Sequence, residues 1–143
     1  MSIIADTEET YTTVIMKEFN AFHWILEGLQ SSKSKSNLKW IVKIDDDVIV
    51  NFQNFKKLLK KFENEIDNER LICRQIHPYP IRRSSSKWYM PRHIYPEKRY
   101  PTYCYGPMYI WTLPAVKKTY NLFIRELKNS FVWLEDVYLT GKS

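Results

Sequence analysis

Three consecutive carboxylates, Asp45-Asp46-Asp47, sit inside an otherwise apolar run, with Trp40-Ile41-Val42-Lys43-Ile44 before them and Val48-Ile49-Val50 after. Adjacent carboxylates repel one another and burial disfavours their charged forms, so a cluster at the edge of a core needs water, hydrogen-bond donors or a cation. Asp oxygens are hard ligands suited to Mg²⁺ or Mn²⁺, and two carboxylates together with substrate phosphates are a common way to hold such an ion. A solvated acidic turn is the plainer reading of an Asp triplet; the flanking apolar runs tip the balance toward a metal. A second acidic pair, Glu135-Asp136, follows the short apolar approach Phe131 to Leu134. If both clusters face one crevice, one can hold a metal while the other acts as a base. At the start of a helix the same pair also interacts favourably with the helix dipole, which is the alternative.

The elements that must position these groups alternate. Tyr11, Ile15, Phe19, Phe22, Leu26 and Leu29 recur at helical spacing behind a possible cap made by Asp6 and Glu9, which predicts a helix from about Thr7 to Gln30. Ser31 to Lys39 reads as a polar loop, and Leu38 to Ile44 as a strand with both faces largely covered, ending at the Asp triplet. Phe55, Leu58, Leu59, Phe62 and Ile66 define a second helix that Asn51 can cap, and Leu71 to Ile76 a second strand. From His77 to Pro107, six prolines interleaved with Tyr, Trp and Arg break the pattern; a loop this long is usually functional, and its aromatics argue against disorder. Met108 to Thr112 then reads as a strand, and Val116, Tyr120, Ile124 and Leu127 as a helical stripe with Pro114 tolerated in its first turn. The fold class that follows is α/β, in which ligands bind in the crevice at the carboxyl ends of strands.

At 143 residues, 44% hydrophobic and 15% aromatic, the chain has one domain's worth of core and is too apolar for a disordered segment. Its charge of +6 is uneven: between Leu71 and Tyr100 Glu97 is the sole acid among Arg74, Arg82, Arg83, Lys87, Arg92, Lys98 and Arg99. Such a patch suits nucleic acid, an anionic membrane surface or the phosphates of a small substrate, and equally a solvated loop. No stretch approaches the ~18 apolar residues of a membrane span, and Met1-Ser2-Ile3-Ile4 does not lead into a signal-peptide core. Cys73 and Cys104 allow one disulfide or two buried thiols.

Five segments in order carry a resemblance. Lys43-Ile44-Asp45-Asp46-Asp47-Val48-Ile49-Val50-Asn51, Lys87-Trp88-Tyr89-Met90-Pro91, Tyr95-Pro96, Tyr100-Pro101-Thr102-Tyr103-Cys104-Tyr105-Gly106 and Glu135-Asp136-Val137-Tyr138-Leu139-Thr140-Gly141 resemble the motifs of the β-1,3-galactosyltransferase family (glycosyltransferase family 31), which also holds β-1,3-N-acetylglucosaminyltransferases. The resemblance spans nearly the whole chain, 1–143, as one partial catalytic domain. It implies a GT-A-like, Rossmann-like fold, incomplete here, and Mn²⁺- or Mg²⁺-dependent transfer of galactose or N-acetylglucosamine from UDP-galactose or UDP-N-acetylglucosamine. The acceptor would be a glycan on a glycoprotein or glycolipid, the linkage β-1,3, and the anomeric carbon would invert.

By the same resemblance Asp47 binds the metal directly and Asp45 contacts the metal shell or the nucleotide ribose. Asp45 and Asp46 of the triplet, with Tyr103 and Gly106, belong to the donor site, although Asp46 itself turns toward local structure. Asp136 is the base, and Trp88, Tyr89 and Glu135 face the acceptor. The implied setting is the lumenal side of the Golgi membrane, reached through an anchor that this sequence lacks. No nucleic-acid partner is implied.

Two departures keep a second class of function open. Where the family has a Ser-Gly-Gly-Gly run after its Cys, this chain reads Tyr105-Gly106-Pro107-Met108, which alters or blocks the donor pocket. The family's downstream His ligand also has no counterpart in His23, His77 or His93. The alternative is a non-catalytic fragment or pseudoenzyme that keeps the fold with weak metal or sugar binding.

Overall fold

Alternation of exposure along Ile41, Val42, Lys43, Ile44 and Asp45 sets the architecture: the odd residues turn inward and the even ones outward. The computed structural model of the protein describes residues 13–31, 37–126, 132 and 134–141. In chain order the elements are α1 (Val14–Ser31), β1 (Trp40–Ile44), α2 (Phe52–Lys61), a 3₁₀ turn (Glu63–Glu65), β2 (Leu71–Ile76), β3 (Tyr103–Thr112), α3 (Leu113–Glu126) and α4 (Glu135–Thr140). The expected cap at Asp6 and Glu9, together with Tyr11, Leu127 and Phe131, lies outside the described residues.

The three strands form one sheet in the order β1-β3-β2, with β3 antiparallel to both neighbours. A parallel doubly wound sheet, the usual α/β arrangement, is therefore not what these residues build; the architecture is a small mixed helix and strand domain. Ile41, Trp111 and Leu71 align across the sheet, as do Lys43, Tyr109 and Cys73, so that one face carries the core. Against this face pack Ile15, Phe19 and Phe22 of α1 and Ala115, Val116 and Phe123 of α3. Tyr138 and Leu139 of α4 complete the cluster. Phe19 stacks on Tyr120 at 4.7 Å and Phe22 meets Trp111 edge-on at 5.5 Å. Trp111 is fully buried at the centre of this cluster.

The expectation that β1 is covered on both faces is corrected. Among the described residues β1 is an edge strand, and Val42 and Ile44 on its outer face are exposed. A short β-branched run cannot by itself distinguish a strand covered on two faces from one covered on a single face.

Helix α2 is shorter than its apolar pattern predicts, because the chain tightens into the 3₁₀ turn after Phe62. Asn51 does cap it, its side chain accepting from the Asn54 N–H at 3.1 Å.

The largest difference concerns β3, which starts at Tyr103 rather than Met108. On the β2 side the register jumps from Cys73 opposite Tyr109 to Gln75 opposite Cys104. Tyr105, Gly106, Pro107 and Met108 thus bulge opposite Arg74 alone. A bulge is where a central strand tolerates proline, since no ladder hydrogen bond is asked of its nitrogen. The Cys73–Cys104 disulfide, with Cα atoms 5.5 Å apart, ties β2 to β3 across this bulge.

The Pro-rich segment before β3 is ordered around its own small core of Met90, Tyr100, Tyr103 and Val137. Arg82 secures it by donating to the carbonyls of Met90 at 2.7 Å and Glu97 at 2.8 Å.

Candidate functional site

The β3 bulge and the end of β1 meet directly. The Asp45 N–H donates to the Pro107 carbonyl at 2.9 Å, and the Val48 N–H folds back onto the Asp45 carbonyl at 3.2 Å. This turn leaves Asp45 half-buried and Asp46 and Asp47 exposed. Across the bulge lies α4, anchored by Thr140: its hydroxyl accepts from the buried Cys104 N–H at 2.8 Å and donates to the Asp136 carbonyl. Two carboxylate clusters some ninety positions apart are thereby brought to one cleft of about 620 Å³. Asp45, Asp46, Asp47, Glu135 and Asp136 all line it. So do Trp88, Tyr103 and Gly106, whereas Tyr89 is not among the lining residues; its backbone pairs with Ile81 instead.

Lys43 joins the two clusters. Its ammonium donates to Asp45 Oδ1 at 2.6 Å, to the Gly106 carbonyl at 2.6 Å and to Glu135 Oε1 at 3.2 Å. Glu18 of α1 stands farther off, at 3.9 Å, and accepts from the Tyr109 hydroxyl at 3.0 and 3.1 Å. Burial works against the Lys43 charge, but the hydrogen bond to Asp45 and the charges of Glu135 and Glu18 outweigh it and raise the ammonium above its ordinary value.

A single ammonium cannot neutralise every buried acid around it, and the surplus is absorbed by protonation. Burial first, then the Glu135 charge, pushes the Glu18 carboxyl up to about 8, so it is largely protonated at neutral pH. The same two causes push Asp136 up to about 7, against the opposing bond from the Val137 N–H at 2.8 Å. A carboxyl poised near neutrality in a cleft is suited to exchanging a proton with a bound hydroxyl.

Motif reading gives Glu18, Lys43 and Tyr109 no role in the site, although Glu18 and Lys43 each carry a signal. Glu18 falls at i+3 from Ile15 and i−4 from Phe22, on the buried stripe of α1, and Lys43 shares the inward parity of Ile41. Charged residues at core positions mark a buried network.

Gly106 fits its place by size. A Cβ there would press to 3.3 Å from Asp136 Oδ2, tighter than ordinary contact, so glycine leaves the acid its room.

A divalent metal is tested by the donor set. Among the described residues no group of three His, Cys, Asp or Glu side chains gathers to hold an ion. Asp45 and Asp47 both line the cleft, and by themselves they supply too few oxygens for an all-protein cage.

The sequence model of the family described as Galactosyltransferase matches residues 2–143. The chain belongs to the galactosyltransferase family. Its similarity to human and mouse Beta-1,3-galactosyltransferase 1 is 30% identity over 137 residues, covering 96% of this chain and 39% of each relative. Lactosylceramide 1,3-N-acetyl-beta-D-glucosaminyltransferase A of Xenopus laevis is 27% identical over 136 residues, covering 94% of the chain and 33% of that protein. This galactosyltransferase-family chain thus spans under two fifths of the length of these relatives. Among its described residues no helix is long and apolar enough to cross a membrane.

Proposed function

We propose that the chain forms the carboxylate-lined part of a glycosyltransferase site of GT-A type. It would transfer galactose or N-acetylglucosamine from a UDP-sugar to a glycan hydroxyl in a β-1,3 linkage, with inversion. The observation that carries this reading is the convergence of the Asp45–Asp47 turn and the Glu135–Asp136 pair on one cleft, with Asp136 poised at about 7. Asp47 and Asp45 would hold Mn²⁺ or Mg²⁺, which as a Lewis acid supplies stabilisation of the charge that grows on a departing diphosphate.

The chain's own groups divide the remaining work. Asp136 accepts the proton of the attacking hydroxyl at its carboxylate, for which it must be ionised. Lys43, bonded to Asp45, Glu135 and the Gly106 carbonyl, fixes the distance between the donor side and the base side. Trp88, half-exposed at the cleft, offers a ring face to a sugar. The Cys73–Cys104 disulfide supports action in an oxidising compartment such as the Golgi lumen.

A non-catalytic binding module is the second reading. It is favoured by the absence of a three-ligand group among the described residues and by Lys43 already occupying Asp45. Calorimetric titration of UDP with and without Mn²⁺, on the native chain and on Asp47→Ala, tests the donor site. Metal-dependent binding lost in the variant is expected. Absence of UDP binding by a folded native chain refutes the donor-site reading.

A further inference from the structure

Beside its five acids the cleft is lined by exposed aromatic rings that carry cations, and these form its basic edge. Tyr79, Trp88 and Tyr105 line the cleft with relative exposures of 60%, 48% and 47%. Each ring has a cation over it: the Arg99 guanidinium at 4.2 Å from Tyr79, the Lys87 ammonium at 4.5 Å from Trp88 and the Arg74 guanidinium at 5.6 Å from Tyr105; Lys87 itself lines the cleft, and Arg74 and Arg99 stand behind the rings that do. Arg99 is also bonded to the Tyr79 hydroxyl. The Pro-rich segment supplies two of these pairs, Tyr79 with Arg99 and Trp88 with Lys87, while the third joins Arg74 of β2 to Tyr105 of the β3 bulge.

We propose that this rim binds the acceptor, and that the acceptor is an anionic saccharide carrying a sulfate or carboxylate. The inference rests on the glycosyltransferase reading and names its substrate class. A neutral sugar uses an aromatic face and hydrogen bonds, which these cations can donate to its hydroxyls; only a charged group on the sugar adds a charge–charge attraction to them. An anionic sugar gains from both, since its ring lies on the aromatic while its charged group meets the neighbouring guanidinium or ammonium. The acids of the cleft sharpen the selection. Asp45, Asp46, Asp47, Glu135 and Asp136 repel an anion, so the charged group is kept at the rim and a neutral part of the saccharide, with its hydroxyl, is directed inward to Asp136.

A donor diphosphate is the other source of negative charge, and one experiment separates the two. Lactose, a sulfated lactose, sialyllactose and UDP are titrated into the native chain and into the Arg74→Gln/Lys87→Gln double variant, with circular dichroism as the check on folding. The native chain should bind the sulfated lactose or sialyllactose about fivefold more tightly than lactose, the order expected of two partly exposed charge contacts. In the double variant this preference should vanish while UDP affinity is unchanged, and in the native chain it should shrink as salt is raised. Equal affinity of the native chain for neutral and anionic sugars overturns the inference, with UDP binding left to judge the donor site separately. A parallel fall in UDP affinity in the double variant also overturns it, because the rim then serves the diphosphate.

Discussion

Reduction of the Cys73–Cys104 disulfide should lower the stability of this domain by a calculable amount. The bond closes a loop of 31 residues that contains all of the Pro-rich segment preceding β3 and the start of β3 itself. Cross-linking a loop of that length removes chain entropy from the unfolded state worth about 4 kcal/mol at 25 °C. For a domain of this size each kcal/mol moves the melting temperature by roughly 3 °C, so the midpoint should fall by roughly 12 °C.

The assay is thermal unfolding by circular dichroism, with and without a reducing agent, and on Cys73→Ala/Cys104→Ala. Because the effect acts on the unfolded chain, the reduced and mutant proteins should both unfold well below the oxidised protein. Their urea m-values should exceed that of the oxidised protein, since the unlinked chain exposes more surface. Cys104 is buried beside Tyr109 and Trp111, so the alanine variant loses some packing and should melt slightly below the reduced native chain. A shift under about 3 °C on reduction would refute the reasoning, showing that the Pro-rich segment keeps its compactness when the rest unfolds.

Two further outcomes follow from the buried acids. Asp136 must be ionised to accept a proton, so kcat/KM should rise with pH through about 7; removing the neighbouring charge with Glu135→Gln should move that ascending limb to lower pH, and an unmoved limb would exclude Asp136 as the base. Glu18 is raised from an ordinary value near 4.5 to about 8, so the stability tied to its proton is complete below about 4.5 and is lost as pH rises through about 8. The full difference is on the order of 5 kcal/mol at most. Glu18→Gln should therefore raise the melting temperature at pH 9 by several degrees and flatten its fall between pH 5 and pH 9, whereas identical pH profiles would count against a buried, proton-holding Glu18.

Much of the candidate site was legible in the chain because local rules govern it. The Asp triplet marks the end of a strand through its own apolar flanks, and Asn51 caps α2 by contact with a residue three positions on. The short motifs around Lys43, Trp88, Tyr103 and Glu135 place the chain in its family for the same reason, being contiguous residues read in order.

The tertiary structure decided what depends on long-range pairing. Whether β1 is covered on one face or two, and that β3 runs antiparallel between its neighbours, are set by which strands come together, and strand periodicity is the same in either case. The bulge at Tyr105–Met108 exists only relative to β2, so Gly106 and Pro107 read as a broken strand until Arg74 is seen opposite them. Glu18, Lys43 and Glu135 lie far apart in sequence and acquire their shared electrostatics from burial together. Sequence alone determined which groups are chemically able to act; the fold decided which of them meet, and with what proton affinity, because desolvation and Coulomb energy depend on distance in space.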